Sequence, residues 1–417
     1  MLDRLPYQVS NAFLPHPPQV MGVAVSGGSD SMALLHLLKD FCDANGVELR
    51  AVTVDHHLRK EARRETEMVA AHCAGIGVSH QTLHWDAWKG KGNLQNAARE
   101  GRYGRIADWA RAQKIETIAM GHTADDQAET FLMRLSRSSG VDGLSGMRRR
   151  VMRNGITWVR PLLQSRREVL QTYLRKRDIP WVNDPSNDDD RFRRIKARRA
   201  LRLLSELGIN EEILAEVADQ LGEARKALDW QTFLAARQIV RIEGGAIVLD
   251  EPGLRLQPDE IQRRLLVRAI GWVSGSVYPP RRGALAHVVA ALRRGQAGTL
   301  DGCHVRRIAS TIWIFREYAA VKDIVAAPDQ IWDRHWKLRH VEGGHWPALT
   351  VRALGIEGLR QCPDWRSSRL PHIVLQSTPS IWQDAELVSA PLAGHPQQWV
   401  AEIACGGDTF YGALLAH

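Results

Sequence analysis

The feature that most constrains this chain is a stretch near its amino terminus in which a short apolar run meets a cluster of small polar residues. The run VMGVAV covers residues 20–25, SGGSDS follows at 26–31, and MALLHLL at 32–38 then repeats apolar residues at helical spacing. This order predicts a buried strand, a tight loop and a helix. The N–H groups and the positive dipole end of such a helix favour an anion in the loop, most naturally a phosphate group.

The loop supplies the residue types that phosphate binding needs. The candidate phosphate-binding residues are Ser26, Gly27, Gly28, Ser29, Asp30 and Ser31. The two glycines let the backbone approach a ligand closely, and the three serines add hydroxyl donors. Asp30 either caps the helix or faces the ligand as a base or as a metal-binding carboxylate. The alternative is a capped strand-to-helix turn without a ligand.

This loop resembles the pyrophosphatase-type loop (PP-loop) of the ATP-pyrophosphatases, which cleave ATP between the α and β phosphates to adenylate a substrate. The resemblance implies ATP as the nucleotide, Mg²⁺ as its counter-ion and Asp30 as a candidate Mg²⁺ ligand. The lysine of a Walker A loop is missing, which disfavours transfer of the γ-phosphate.

Composition limits the classes of protein that need consideration. A chain of 417 residues is long enough for about two or three domains, and its net charge of +9 suits a polyanionic partner. The five cysteines are far apart, which argues against a disulfide framework and predicts a cytoplasmic protein. No run of about eighteen apolar residues is present, so we expect no membrane association.

Strands alternate with helices after the loop. Strands are predicted at 47–55, 79–85 and 116–120, with a helix at 93–107. This alternation predicts an α/β fold with a parallel sheet, whose ligands bind at the carboxyl ends of the strands. Asp55 and His56 should therefore lie on the ligand side. The pair His56 and His57 is as consistent with solvated loop residues as with a binding role.

Two further groups of charged residues are predicted near this edge. Arg99 and Arg102 share a helix face and either stabilise charge on ATP or form an exposed basic stripe. Thr123 can cap the helix after the strand at 116–120, and Asp125, Asp126 and Glu129 occupy its first turn. Acidic residues favour a helix amino terminus for dipole reasons alone, but here they also form a negative pocket suited to an ammonium group or Mg²⁺.

Four blocks, in order, resemble the tRNA(Ile)-lysidine synthase family. They are GHTADDQAET at 121–130, RLSRSSGVDGLSGM at 134–147, RPLL at 160–163, and WVNDPSND at 181–188 with the arginines that follow it. The chain departs from the family at Ser138, where a glycine is usual, and at Phe192 and Ile195. The missing glycine puts the backbone of that loop and the role of Ser138 in question.

The resemblance implies a reaction and a set of roles. The family activates C2 of the wobble cytidine (position 34) of the CAU-anticodon tRNA(Ile) with ATP, and the amine of free L-lysine then displaces AMP. In this sequence Asp30, Arg99 and Arg102 would be catalytic, and the loop residues would bind ATP. Asp126 and Glu129 would hold the lysine. A homodimer is left open.

The rest of the chain suggests three domains. We predict a PP-loop catalytic domain at 1–205, a mostly helical tRNA-contacting domain at 206–325 and a small β-rich or α+β domain at 326–417. The basic stretch at 191–202 is either a solvated face or a tRNA-binding surface, with Arg194, Arg198 and Arg199 as its candidate residues.

Two other functions compete with this interpretation. The tRNA thiolases share the loop but need cysteines for sulfur relay, and amidotransferases add a glutaminase with its own cysteine nucleophile. The scattered cysteines argue against both classes. An RNA-binding module with an inert nucleotide fold is the other alternative, and the intact Asp30, Asp125, Asp126 and Glu129 argue against it.

Overall fold

The computed structural model describes residues 2–55, 62–85, 94–182, 193–276, 278–344, 346–404 and 408–415. The chain divides into two compact units, Met1–Lys226 and Ala227–Ala416. His56 and His57 lie outside the described residues, as does the first part of the basic stretch, 191–192.

The first unit is built on a six-stranded sheet. Its strands are β1 (Val20–Ala24), β2 (Glu48–Asp55), β3 (Ser79–His84), β4 (Thr117–Met120), β5 (Arg150–Arg153) and β6 (Ile156–Val159). They are ordered β3-β2-β1-β4-β6-β5, and all neighbours are parallel except the β5–β6 hairpin. The predicted α/β class and the predicted strands are confirmed, whereas the β5–β6 hairpin was not predicted.

The helices of this unit flank the sheet. They are α1 (Arg4–Phe13), α2 (Ser29–Asn45), α3 (Ala62–Gly75), α4 (Leu94–Ala112), α5 (Ala124–Leu135), α6 (Val141–Leu144), α7 (Arg167–Lys176) and α8 (Arg193–Ser205). Helix α9 (Glu211–Ile239) begins in the first unit and ends in the second. The predicted helix at 93–107 therefore continues to Ala112, and no sequence signal had predicted α1.

The strand order decides where a ligand can bind. The chain leaves β1 for β2 on one side and returns to β4 on the other side, so β1 lies at the point where the connections change direction. In open parallel sheets this switch point leaves a crevice at the carboxyl ends of the strands. The loop after β1 and the loop after β4 are therefore neighbours.

Close packing brings these two loops together. Helix α2 buries Met32, Leu35 and Leu38 against the sheet core, which fixes its first turn beside β4. A Cβ atom on Gly121 would lie 2.8 Å from the carbonyl oxygen of Asp30, closer than any side chain permits. Only glycine allows the end of β4 to approach the start of α2 this closely.

The second unit combines helices with antiparallel sheets. Its five-stranded sheet, ordered β7-β8-β11-β10-β9, contains β7 (Val240–Glu243), β8 (Ala246–Asp250), β9 (Gly298–Leu300), β10 (Cys303–Ile308) and β11 (Thr311–Arg316). Four helices accompany it: α10 (Glu251–Arg255), α11 (Asp259–Ser274), α12 (Arg282–Arg293) and α13 (Tyr318–Val321). Strands β9 and β10 are joined by a tight turn in which Asp301 and Gly302 adopt the left-handed conformation (φ +50° and +69°).

The remaining elements form smaller sheets. Strands β12 (Trp336–His340) and β16 (Trp399–Ile403) pair with each other, and β13 (Thr350–Ala353), β14 (Pro379–Gln383) and β15 (Glu386–Ser389) form a third sheet. The helices here are α14 (Gly355–Arg360), α15 (His372–Leu375) and α16 (Asp408–Leu415). The predicted helical and β-rich carboxy-terminal regions are thus present, and the three-domain boundaries stay a prediction. In the described ranges no helix is long and apolar enough to cross a membrane.

Candidate active site

A cavity of about 550 Å³ opens at the carboxyl ends of β1, β2 and β4. Its walls include the loop after β1, Asp55 at the end of β2, and His122 in the loop after β4. Helices α7 and α8 add Arg167 and Arg198 from the opposite side. The cavity lies at the switch point of the sheet, where the fold places a ligand.

The serines of the phosphate loop hold the loop in shape. Ser31 Oγ accepts a hydrogen bond from the backbone N–H of Ser26 (3.1 Å) and donates one to the carbonyl oxygen of Gly28 (3.0 Å). Ser29 Oγ donates to Asp30 Oδ1 (3.0 Å). These contacts fix the loop before a ligand arrives, so its backbone N–H groups need little rearrangement to bind a phosphate.

The two glycines of the loop have different roles. Gly27 has a φ of +85°, which side-chain-bearing residues rarely adopt. Gly28 is extended (φ −72°, ψ 160°), and the nearest atom to an added Cβ would be Ser26 Oγ, 3.7 Å away. Gly27 is therefore required by the backbone, whereas Gly28, which lines the cavity, could carry a Cβ without a clash in the protein itself. None of the described side chains caps the helix at Gly28, which leaves the helix end available to an anion.

Asp30 is paired with an arginine that the sequence had not suggested as a site residue. Arg167 Nε donates to Asp30 Oδ2 (2.9 Å), and both side chains are mostly buried. Burial raises the pKa of Asp30 above its usual value, although Arg167 opposes this effect. Burial alone would lower the pKa of Arg167, but the carboxylates of Asp30 and Asp126 raise it instead. A carboxyl with a raised pKa is a better proton acceptor than an exposed one.

Helix α5 begins with the predicted cap. Thr123 Oγ1 accepts from the N–H of Asp126 (3.4 Å), and Asp126 Oδ2 accepts from the N–H of Thr123 (3.1 Å). This reciprocal pair is a capping box. Burial favours the neutral form of Asp126, but the nearby charges of Arg167 and Arg194 and the hydrogen bond from the Thr123 N–H hold the pKa of this carboxyl below its usual value. Asp126 is thus both the cap of α5 and an anionic wall of the cavity.

Glu129 lies one turn further along α5 and is covered by arginines from α8. Its side chain is 1% exposed, and Oε1 accepts from Arg198 Nε (2.5 Å). Arg194 Nε lies 3.8 Å from Oε2, which has no hydrogen-bond partner among the described residues. Burial raises the pKa of Glu129 despite the pairing with Arg198. Arg194 and Arg198 line the cavity, whereas Glu129 does not.

The other predicted arginines divide between cavity and surface. Arg102 lines the cavity, and its Nε is buried without a hydrogen-bond partner among the described residues. Burial lowers the pKa of Arg102, which makes an anionic ligand beside it favourable. Arg99 instead lies over the ring of Tyr103, with 5.4 Å between the guanidinium carbon and the ring centre, and does not line the cavity. Arg199 is exposed on α8.

Two site residues, Arg167 and His122, escaped sequence reasoning. Arg167 is the first residue of helix α7. A positive charge is unfavourable at this end of a helix dipole, so an arginine here indicates an anion nearby. Its backbone N–H donates to Asp125 Oδ2 (2.8 Å), so Asp125 caps α7 instead of facing the cavity. His122 lines the cavity, and burial lowers its pKa to about 3, so the imidazole is neutral at pH 7.

The block at 134–147 is structural. Arg134 donates to the carbonyl oxygens of Gly143 and Gly146 (2.7 and 2.9 Å), which folds the segment back on α5. Ser138 has a φ of +53° within it. This is the left-handed conformation that glycine adopts without strain, which explains why a glycine is usual at this position.

A magnesium ion has few candidate ligands here. No group of three or more His, Cys, Asp or Glu side chains is arranged to hold a metal in the described part of the chain. Mg²⁺ at nucleotide sites is commonly bound by one or two carboxylates together with phosphate oxygens and water. Asp30 fits that arrangement, because its carboxylate lines the cavity beside the phosphate loop.

Comparison with known proteins points to one family. The model of the PP-loop domain family matches residues 1–204. The tRNA(Ile)-lysidine synthase of Ruegeria pomeroyi is 48% identical over 407 residues, which are 97% of this chain and 96% of the relative. That of Wolbachia pipientis is 35% identical over 314 residues, 73% of this chain and 72% of the relative. A solved structure of the U34-tRNA thiolase NcsA from Methanococcus maripaludis is 14% identical, with a TM-score of 0.47 over 53% of this chain and 80% of that one. The match to the first relative extends over almost the whole of both chains, and the chain belongs to the tRNA(Ile)-lysidine synthase family, a family of ATP-dependent tRNA-modifying ligases.

Proposed function

We propose that this protein joins free L-lysine to C2 of the wobble cytidine (position 34) of the CAU-anticodon tRNA(Ile), forming lysidine. The modification changes codon reading from AUG to AUA and the identity of the tRNA from methionine to isoleucine. The observation that supports this proposal is one cavity that combines a phosphate loop with a buried aspartate and a carboxylate-rich helix start. Such a site offers binding groups for an anionic nucleotide and for a cationic amino acid.

In the first step the O2 oxygen of cytidine attacks the α-phosphorus of ATP, and the bond to the β-phosphate breaks with release of diphosphate. The backbone N–H groups after β1 would hold the phosphates, and Arg102 would offset the charge that develops on them. Asp30 would hold Mg²⁺, which neutralises the diphosphate leaving group when bound. Arg99 would contribute at longer range, since it stacks on Tyr103.

In the second step the ε-amine of lysine attacks C2, and AMP leaves with the O2 oxygen. An ammonium group has no free electron pair, so a base must first take its proton. Asp30 is the candidate base, because burial raises its pKa and it lies beside Asp126. Asp126 and Glu129 would hold the cationic end of the lysine side chain until that proton is transferred.

The tRNA has to present its wobble base outside the anticodon stack, as is usual when proteins recognise single-stranded RNA. Arg194, Arg198 and Arg199 on α8 are the candidate phosphate contacts, and Arg199 is the most exposed of them. We propose that the protein acts in the cytoplasm with free lysine as co-substrate.

The decisive experiment is incorporation of labelled lysine into defined transcripts. With ATP and Mg²⁺ we expect one lysine in the CAU-anticodon tRNA(Ile), no lysine in an elongator methionine tRNA, and release of both diphosphate and AMP. Asp30→Asn keeps the size of the side chain but loses its proton affinity, so lysine incorporation should collapse while tRNA binding persists. Diphosphate release without any lysine transfer by the unaltered protein would contradict the proposal.

A further inference from the structure

The carboxylate proposed to hold lysine is already occupied by a cation of the protein itself. Arg198 Nε lies 2.5 Å from Glu129 Oε1, and Glu129 is 1% exposed while Arg198 is 26% exposed. Arg198 lines the cavity and Glu129 does not. A lysine ammonium entering the cavity therefore meets Arg198 before it can reach Glu129.

The neighbouring carboxylates are occupied in the same way. Arg167 pairs with Asp30 at 2.9 Å and approaches Asp126 to 3.9 Å. Opposite charges favour each other strongly in a partly buried site, so an added ammonium must displace a guanidinium or share its carboxylate. In either case lysine alone should bind weakly to the free protein.

We propose that Arg198 is a positioning residue that blocks the lysine site in the free protein by pairing with Glu129. When ATP binds, Arg198 moves from Glu129 to the nucleotide phosphates, and the Glu129 carboxylate becomes available to lysine. This inference rests on the proposed function. Coupling of this kind is reciprocal, so ATP should tighten lysine binding and lysine should tighten ATP binding by the same factor.

Two arguments favour ATP as the ligand that draws Arg198 away. Arg198 and the phosphate loop line the same cavity, so one nucleotide can contact both. A guanidinium binds phosphate oxygens in a bidentate manner, and a triphosphate offers more charge than one carboxylate. Once Arg198 has moved, Glu129 Oε2, which is buried without a hydrogen-bond partner among the described residues, can accept from the lysine ammonium together with Oε1.

The test is calorimetry of L-lysine binding to the full chain, with and without the analogue α,β-methylene-ATP and Mg²⁺. The analogue cannot be cleaved at the bond that the reaction breaks, so no chemistry follows. We expect lysine to bind at least about tenfold more tightly in its presence, as estimated from one charge-assisted contact. Equal affinities in the two titrations would overturn the inference, because no coupling would exist. A lysine affinity that rises with tRNA but not with the analogue would overturn it as well, since the phosphates would come from the RNA.

Replacement of Arg198 provides the second arm. In Arg198→Gln lysine should bind about tenfold more tightly than to the parent without nucleotide, and the analogue should add less than about twofold. Arg202→Gln, an exposed site on the same helix, is the matched control and should keep the full coupling. Weaker lysine binding by Arg198→Gln in both titrations would show that Arg198 contacts lysine directly. The comparison in the unaltered protein does not depend on how well this variant folds.

The two proposals fail in different ways. Lysine that binds with an affinity independent of nucleotide contradicts the coupling but leaves the proposed lysine transfer intact. If lysine binds neither with nor without the ATP analogue, and labelled lysine is not incorporated into tRNA, both the proposed function and this inference are contradicted.

Discussion

Replacement of Glu129 by glutamine tests the proposed contact between this carboxylate and the substrate lysine. Glutamine keeps the size of the side chain but removes the charge that would hold the lysine ammonium. A charge-assisted hydrogen bond contributes about 1.5–3 kcal/mol, which corresponds to a roughly 10- to 150-fold rise in the KM for lysine. The KM for ATP should not rise and is expected to fall, because Glu129 does not line the cavity that holds the phosphate loop and its neutralisation releases Arg198 toward the phosphates.

The dependence of the KM for lysine on acidic pH provides an independent test of Glu129. Burial raises the pKa of Glu129, and only its ionised form attracts an ammonium group. In the parent the KM for lysine should therefore rise as the pH falls through this raised pKa, and Glu129→Gln should lose that component of the profile.

The assay is steady-state lysine incorporation with lysine and ATP varied separately, accompanied by thermal unfolding. Loss of the pairing with Arg198 should lower the free energy of unfolding by only about 1–2 kcal/mol, since Arg198 is partly exposed and can be hydrated. Glu212→Gln, an exposed substitution on α9, is the control. An unchanged lysine requirement together with a raised ATP or Mg²⁺ requirement would refute the reasoning and assign this acidic turn to the metal.

Three further changes test other parts of the site. Gly28→Val should abolish ATP binding in calorimetry, because the new side chain would fill part of the cavity at the phosphate loop. The circular dichroism spectrum should be unchanged, because the nearest protein atom to an added Cβ is Ser26 Oγ at an ordinary contact distance of 3.7 Å. Retained ATP affinity would contradict the phosphate-loop assignment. Ser138→Gly should raise the free energy of unfolding by up to about 1 kcal/mol by relieving the φ of +53°, whereas Ser136→Gly, at φ −62°, should lower it. Arg199→Ala should reduce the slope of log tRNA affinity against log salt concentration by about 1 without altering ATP affinity. An unchanged slope would show that Arg199 belongs to a solvated face and does not contact tRNA.

Local sequence signals were sufficient for the framework of the first unit. The apolar run before Ser26 and the helical spacing after Ser31 depend on periodicity within one element, and both are confirmed by β1 and α2. Alternation of strands and helices implies parallel pairing, because a parallel connection needs a crossover. The cap by Thr123 was likewise predictable, since a capping box joins residues only three positions apart. The second unit was less predictable, because its five-stranded antiparallel sheet has strands of only three to six residues and is interrupted between β8 and β9 by helices α10, α11 and α12.

The charge pairs of the site depended on the tertiary structure. Asp30 and Arg167 are 137 positions apart, and Glu129 and Arg198 are 69 apart, so no local pattern links their side chains. The sequence offered Arg198 as a tRNA contact and Glu129 as a lysine contact without indicating that they bind each other. Packing of α7 and α8 over the carboxyl end of the sheet brings these arginines to the carboxylates. Burial there makes an unpaired charge costly, and this is the physical reason why each partly buried carboxylate of the site acquires a cation.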